Sequence, residues 1–140
     1  MLINKKNIMK SVLKTLAIVL TLAFTAGSCS SDNDNDSTPV SRDVKYELTG
    51  NFSGELSTIY FDKGGNPLNE DVTKLPWTKE ITVDKDVNGV TASASGHGGV
   101  KDQTLTAKIY VGGKVVKEST AKANSDGIIV VTLVPYVFPL

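Results

Sequence analysis

From Val44 onward the chain is built of short segments in which apolar and polar residues alternate one by one, with glycine, asparagine and aspartate between them. A period of two is the signature of a strand with one buried face. No window of ten or more residues after Cys29 carries apolar residues at helical spacing, so the folded part is read as all-β. Val44, Tyr46 and Leu48 share one face of the first segment, opposite Lys45, Glu47 and Thr49. Leu56–Phe61 follows, and Asp62-Lys63-Gly64-Gly65-Asn66-Pro67 turns the chain. Lys79–Val83 alternates through Ile81 and Val83. After a turn at Asp84–Gly89, Val90, Ala92 and Ala94 face away from Thr91, Ser93 and Ser95.

The clearest hairpin joins Thr104–Val111 to Lys114–Ser119 through Gly112-Gly113, a pair suited to the primed turns that match strand twist. Ile128–Val134 is almost continuously apolar, which predicts a strand buried on both faces or central in a sheet, ended by Pro135. About seven short strands over about 95 residues predict an immunoglobulin-like antiparallel β-sandwich across residues 44–140, with a small β-barrel as the alternative. A chain of 140 residues has room for one such domain and little else.

The first 28 residues contain Lys5, Lys6, Lys10 and Lys14 and no acid. The apolar run Leu16–Phe24 and the small residues Thr25–Ser28 follow. This order is that of a secretory signal peptide over residues 1–28, too short in its apolar part for the roughly 20 residues of a membrane-crossing helix. The whole chain balances 15 basic against 15 acidic side chains. Removal of the four leader lysines leaves 11 against 15, a formal charge of −4.

Cys29, the only cysteine, stands directly after those small residues and resembles the lipobox cysteine of bacterial lipoproteins, with Ala26 at the place of the usual aliphatic residue. The resemblance implies diacylation of Cys29 and membrane attachment through that anchor, two acyl chains holding stably where one is marginal. Ser30–Pro39 has no apolar residue, so residues 29–43 are expected to form a flexible acidic tether. Acids directly after a lipidated cysteine also resemble the export signal of surface lipoproteins in Bacteroidota-type bacteria. That implies an outer-membrane lipoprotein exposed at the surface, with a periplasm-facing one as the alternative. Asp32, Asn33, Asp34, Asn35 and Asp36 imitate the alternating ligands of a calcium loop, with Asp43 at the twelfth place. Ser37 stands where that loop needs glycine and no helical pattern flanks it, so the tether reading is preferred and no metal site is assigned.

Tyr46-Glu47-Leu48-Thr49-Gly50, Ile59-Tyr60 before a Gly-Gly turn, Leu75-Pro76-Trp77-Thr78-Lys79 and Ile109-Tyr110-Val111-Gly112-Gly113-Lys114-Val115-Val116 together resemble the MmpS family from about Val44 to Leu133. The resemblance implies a small exported β-sandwich that serves as an accessory to MmpL/RND-type membrane transporters. The chain departs from the family in two ways. An acyl anchor takes the place of a transmembrane helix, and the family's cysteine pair is replaced by Ala107 and, approximately, Leu133. An outward-facing outer-membrane lipoprotein could not touch an inner-membrane exporter.

No catalytic set emerges. His97, in Ser95-Gly96-His97-Gly98-Gly99, is the only histidine and is expected in a solvated loop, with Asp102 its sole candidate partner nearby in sequence. Glu70 and Asp71 are neighbours that a strand would point to opposite faces. No cofactor is implied, and scattered basic residues on a net acidic domain exclude nucleic-acid binding. Trp77 is expected as a core anchor, and the apolar end Pro135–Leu140 as a segment packed on the sandwich. Trp77, Tyr136 and Phe138 are the candidates for ligand or partner contact. The function these features predict is a non-enzymatic, lipid-anchored envelope module that binds a protein or a ligand, with the transporter accessory as the alternative.

Overall fold

In the computed structural model, which describes residues 39–140, the chain forms ten strands. They are β1 (Asp43–Gly50), β2 (Glu55–Phe61), β3 (Pro67–Asp71), β4 (Trp77–Thr82), β5 (Gly89–Val90), β6 (Ala92–His97), β7 (Thr104–Val111), β8 (Lys114–Lys122), β9 (Ile129–Thr132) and β10 (Tyr136–Val137). The leader, Cys29 and the tether as far as Thr38 lie outside the described residues.

Two four-stranded antiparallel sheets hold eight of these strands, in the orders β4-β1-β7-β8 and β3-β2-β6-β9, here sheets A and B. β5 and β10 pair with each other in a short ribbon. The alternation explains the layering. Val44, Tyr46 and Leu48 of β1 and Leu105, Ala107, Ile109 and Val111 of β7 turn inward from sheet A. Leu56, Thr58 and Tyr60 of β2, Ala92 and Ala94 of β6, and Ile129 and Val131 of β9 meet them from sheet B. One hydrophobic core joins the two inner faces, and Ala107 and Leu133 both lie in it. The four edges remain unjoined, so the fold is a sandwich and no barrel closes.

The β7–β8 hairpin forms as the glycine pair predicts. Gly112 and Gly113 have φ of 56° and 79°, the left-handed region in which glycine meets no Cβ penalty. Three further strands escape the alternation pattern. β3 begins at Pro67 inside what reads as a turn, and β5 and β10 are two residues each, too short to show a period.

Two expectations are corrected. Ile128–Val134 is neither buried on both faces nor central: its strand, β9, is the edge of sheet B, paired only to β6, and Ile128, Val130 and Val134 are 46%, 60% and 71% exposed. An apolar run satisfies two burial geometries equally well, and only the pairing decides between them. His97 lies in no loop: it closes β6, in register with Glu55 of β2. Its side chain is solvent-exposed, with Nε2 3.4 Å from Glu55 Oε2.

Candidate binding surface

The two outer faces of the sandwich carry different chemistry. On sheet A, Lys45 lies over the Tyr110 ring at 3.9 Å and pairs with Glu47 at 3.5 Å, and the Tyr110 hydroxyl donates to Glu47 Oε1 at 2.8 Å. Lys108 pairs with Glu118 at 3.6 Å, and the Thr106 and Thr120 hydroxyls share a hydrogen bond of 2.8 Å. Apart from Lys45–Glu47, which lies along β1, these side chains answer one another across strands, as cross-strand partners on a solvated face do.

Sheet B presents Ser57 and Ile59 from β2, Ser93 and Ser95 from β6, and Val130 and Thr132 from β9 across its centre. The register aligns Ile59 with Ser93, Ser93 with Thr132, Ser57 with Ser95, and Ser95 with Val130. These six positions carry no charge, and Asp71, paired with Ser57, and Glu55 and His97 stand beside them on the same face. The patch's two central strands offer small hydroxyls, flanked by aliphatic side chains at Ile59, 46% exposed, and Val130. At its lower end lies an open concavity of about 820 Å³, lined by Ser57 and Ser95, by Asp71 and Thr73 on the β3 side, by Ile128 on the β9 side and by His97. Glu55 is the charged partner of His97, and both are exposed, so the pair is a weak surface contact rather than an activated base.

Trp77 belongs to a different structure. It opens β4, whose inward residues Trp77, Lys79 and Ile81 are half-buried because the strand is the edge of sheet A. Its ring packs on Tyr60 at 5.7 Å, and Nε1 donates to Glu70 Oε1 at 3.2 Å. Glu70 Oε2 accepts from the Tyr60 hydroxyl at 3.0 Å and from Lys79 Nζ at 2.9 Å. This carboxylate therefore clasps the β3 edge of one sheet to the β4 edge of the other, with both its oxygens engaged. Asp71 points away to solvent, as alternation requires.

Lys79 first, then Tyr60 and Trp77, hold the Glu70 carboxyl below its ordinary value of 4.5, and Glu70 in turn raises Lys79. A carboxyl depressed in the folded state stabilises fully above its unfolded pKa and loses that contribution as pH falls through the folded one. Glu70→Gln is expected to lower stability at neutral pH by less than about 1 kcal/mol, because the pair is more than one-third exposed. Melting curves of the two proteins should converge as pH falls from the ordinary carboxyl value of 4.5 through the lower folded one; a constant difference on acidification would refute the clasp.

The carboxyl-terminal candidates separate. Phe138 is buried at 2%, under the Arg42 guanidinium at 4.3 Å, with its amide bonded to the Asn88 carbonyl. Tyr136 packs edge-on against it at 5.2 Å and keeps part of its surface. Arg42 also donates to the Val87 carbonyl, so the tail is tied to the lead-in of β1 and the turn before β5.

Sequence reasoning singled out the aromatic residues and passed over Ile59, Ser93, Ser95 and Val130. The signal was present: β1 and β7 put charge on their polar positions, whereas β6 puts serine there. Among the described residues no helix is long and apolar enough to cross a membrane. A search of the curated proteins returns no match to the chain. The model of the family described as Mycobacterium membrane protein, the MmpS-type membrane proteins, matches residues 15–132, which takes in β1 through β9. On that match, which covers most of its length, the chain belongs to the MmpS family of small membrane proteins.

Proposed function

We propose that this protein is a non-enzymatic module of the cell envelope, anchored by acyl groups on Cys29, that works by binding through the outer face of sheet B. The observation that carries this reading is the contrast between the faces: the centre of sheet A is laced with charge pairs, while the centre of sheet B offers serines beside exposed aliphatics, its charged groups, Asp71 and the Glu55–His97 pair, gathered at one end. Depletion of charge at the core of a patch is the compositional mark of a contact surface. The family's membrane association fits an anchored domain. Under this reading the acidic residues Asp32, Asp34 and Asp36 form part of a spacer between anchor and sandwich, and the protein stands on the outer membrane facing outward.

Family membership favours a second reading, an accessory subunit docked on an MmpL/RND-type transporter. Protease added to intact cells distinguishes the two, cleaving a surface domain and sparing a periplasmic one.

Two measurements test the binding module. Cys29→Ser should move the protein from the membrane fraction to the soluble fraction; retention in the membrane would rule out the acyl anchor. A photo-crosslinking residue placed at Ile59 should capture a partner in intact cells, and the same residue at Thr120 on sheet A should not. Equal capture at both positions would refute the assignment of the face.

A further inference from the structure

Three of the four sheet edges are guarded against further pairing. β8 carries Lys114, Lys117 and Lys122 and a bulge opposite Ile109/Tyr110. Lys114 and Lys117 pair with the inward residues Val111 and Ile109 and so lie on the inner side of their edge. β3 starts with a proline and ends with Glu70 and Asp71, and β4 holds Lys79 and Glu80. Charges, inward lysines, prolines and bulges are the devices by which natural sheets block edge pairing. β9 has none of them: Ile129-Val130-Val131-Thr132 is uncharged and free of proline.

The register also says what that edge exposes. The Leu133 amide bonds to the Ala92 carbonyl, and the alternate residues Val131 and Ile129 face Ala94 and Gly96 of β6 in the same sense. The backbone N–H and C=O groups of Val130 and Thr132 therefore point to the open side. Among the described residues no backbone bond outside the ladders engages them. Beside β9, at the same edge of the sandwich, runs β8. Among the described residues its inward lysines, Lys114 and Lys117, form no ion pair, whereas Lys45, Lys79 and Lys108 do.

We propose that β9 accepts an extended strand from a partner protein, a segment alternating aliphatic and acidic residues, which adds to sheet B and sets its acids against the inward lysines of β8, Lys114 and Lys117. The inference rests on the reading of the protein as a binding module and names the chemistry of its partner. Main-chain bonds to Val130 and Thr132 would supply affinity, and alternate side chains the specificity, as in other strand additions. The partner's aliphatic row would continue the exposed surface of Val130 and Ile59. A second copy of the chain fits poorly, because pairing β9 with β9 would bring two lysine rows together.

The test uses the full chain purified in detergent and two peptides of about ten residues, one alternating valine and glutamate, the other valine and lysine. The valine–glutamate peptide should slow amide exchange at Val130 and Thr132, and the valine–lysine peptide should bind at least about tenfold more weakly. Thr132→Pro removes a donor only at the open edge and should abolish binding with the melting temperature unchanged. Lys117→Glu, which keeps the backbone intact, should reverse the preference between peptides. Equal binding of both peptides, undiminished binding by Thr132→Pro, or no protection at peptide concentrations of about 1 mM would overturn the proposal. Protection of these amides without peptide would also overturn it, assigning the edge to a second copy if concentration-dependent and to the chain's own amino-terminal segment if not. Failure here with selective crosslinking retained at Ile59 would leave the binding face standing and remove only the strand addition.

Discussion

Replacing Tyr46 with alanine lowers the free energy of unfolding by about 3 to 5 kcal/mol, the range for loss of a buried aromatic ring. The ring is 1% exposed and packs on Tyr60 of the opposite sheet at 5.4 Å. Its hydroxyl donates to the Phe61 carbonyl at 2.9 Å. That carbonyl needs the bond: the β2–β6 register ends at Tyr60 and Ala92, one residue short of Phe61. Burial raises the Tyr46 phenol well above its ordinary pKa, so it remains a neutral donor. Tyr46→Phe keeps the ring and leaves the carbonyl without this donor, and should cost about 1 to 2 kcal/mol. Urea titration reads both values from the midpoint at constant slope. A cost for Tyr46→Ala no larger than that for Tyr46→Phe would show that the ring contributes little and that the sheets are held together elsewhere.

Gly54→Ala is expected to cost about 3 kcal/mol, the upper end of overpacking penalties, although it adds a single methyl group. Gly54 has an ordinary backbone conformation, so its need is not local. A Cβ there would lie 2.1 Å from the His97 carbonyl oxygen and 2.5 Å from the Gly99 nitrogen, both main-chain atoms that no rotamer change can move. The alanine must displace the Gly98–Gly99 segment, which also holds the bond from the Gly99 amide to the Gly127 carbonyl. Because Gly54 and His97 line the concavity on sheet B, amide shifts should spread across that end of the face. A variant as stable as the parent, with unchanged amide spectra near His97, would show that this contact is not tight.

Much of the architecture is legible residue by residue. The alternation of Val44, Tyr46 and Leu48 sets the inner face of β1, and Gly112-Gly113 sets the hairpin, because both signals act over a few residues. β3 was hidden by Pro67, which reads as a turn yet is tolerated at the first residue of an edge strand. The Glu70 clasp could not be read, since Tyr60, Glu70, Trp77 and Lys79 come from three strands in two sheets. The candidate surface was half legible: the serines of β6 stand out beside the charged strands, but their alignment with Ile59 and Val130 exists only through pairing.

What the sequence determined alone is the class of structure: an all-β domain in which strands such as β1 and β7 have a wet and a dry face. Periodicity carries that information because it records which side of a strand meets water, and nothing else. The tertiary structure decided which strands became edges. Ile128–Val134 has the composition of a central strand and lies at a margin instead, so its second apolar row faces solvent. Strand order comes from the closing of distant pairs such as β6 with β9, more than thirty residues apart, and no local pattern encodes it.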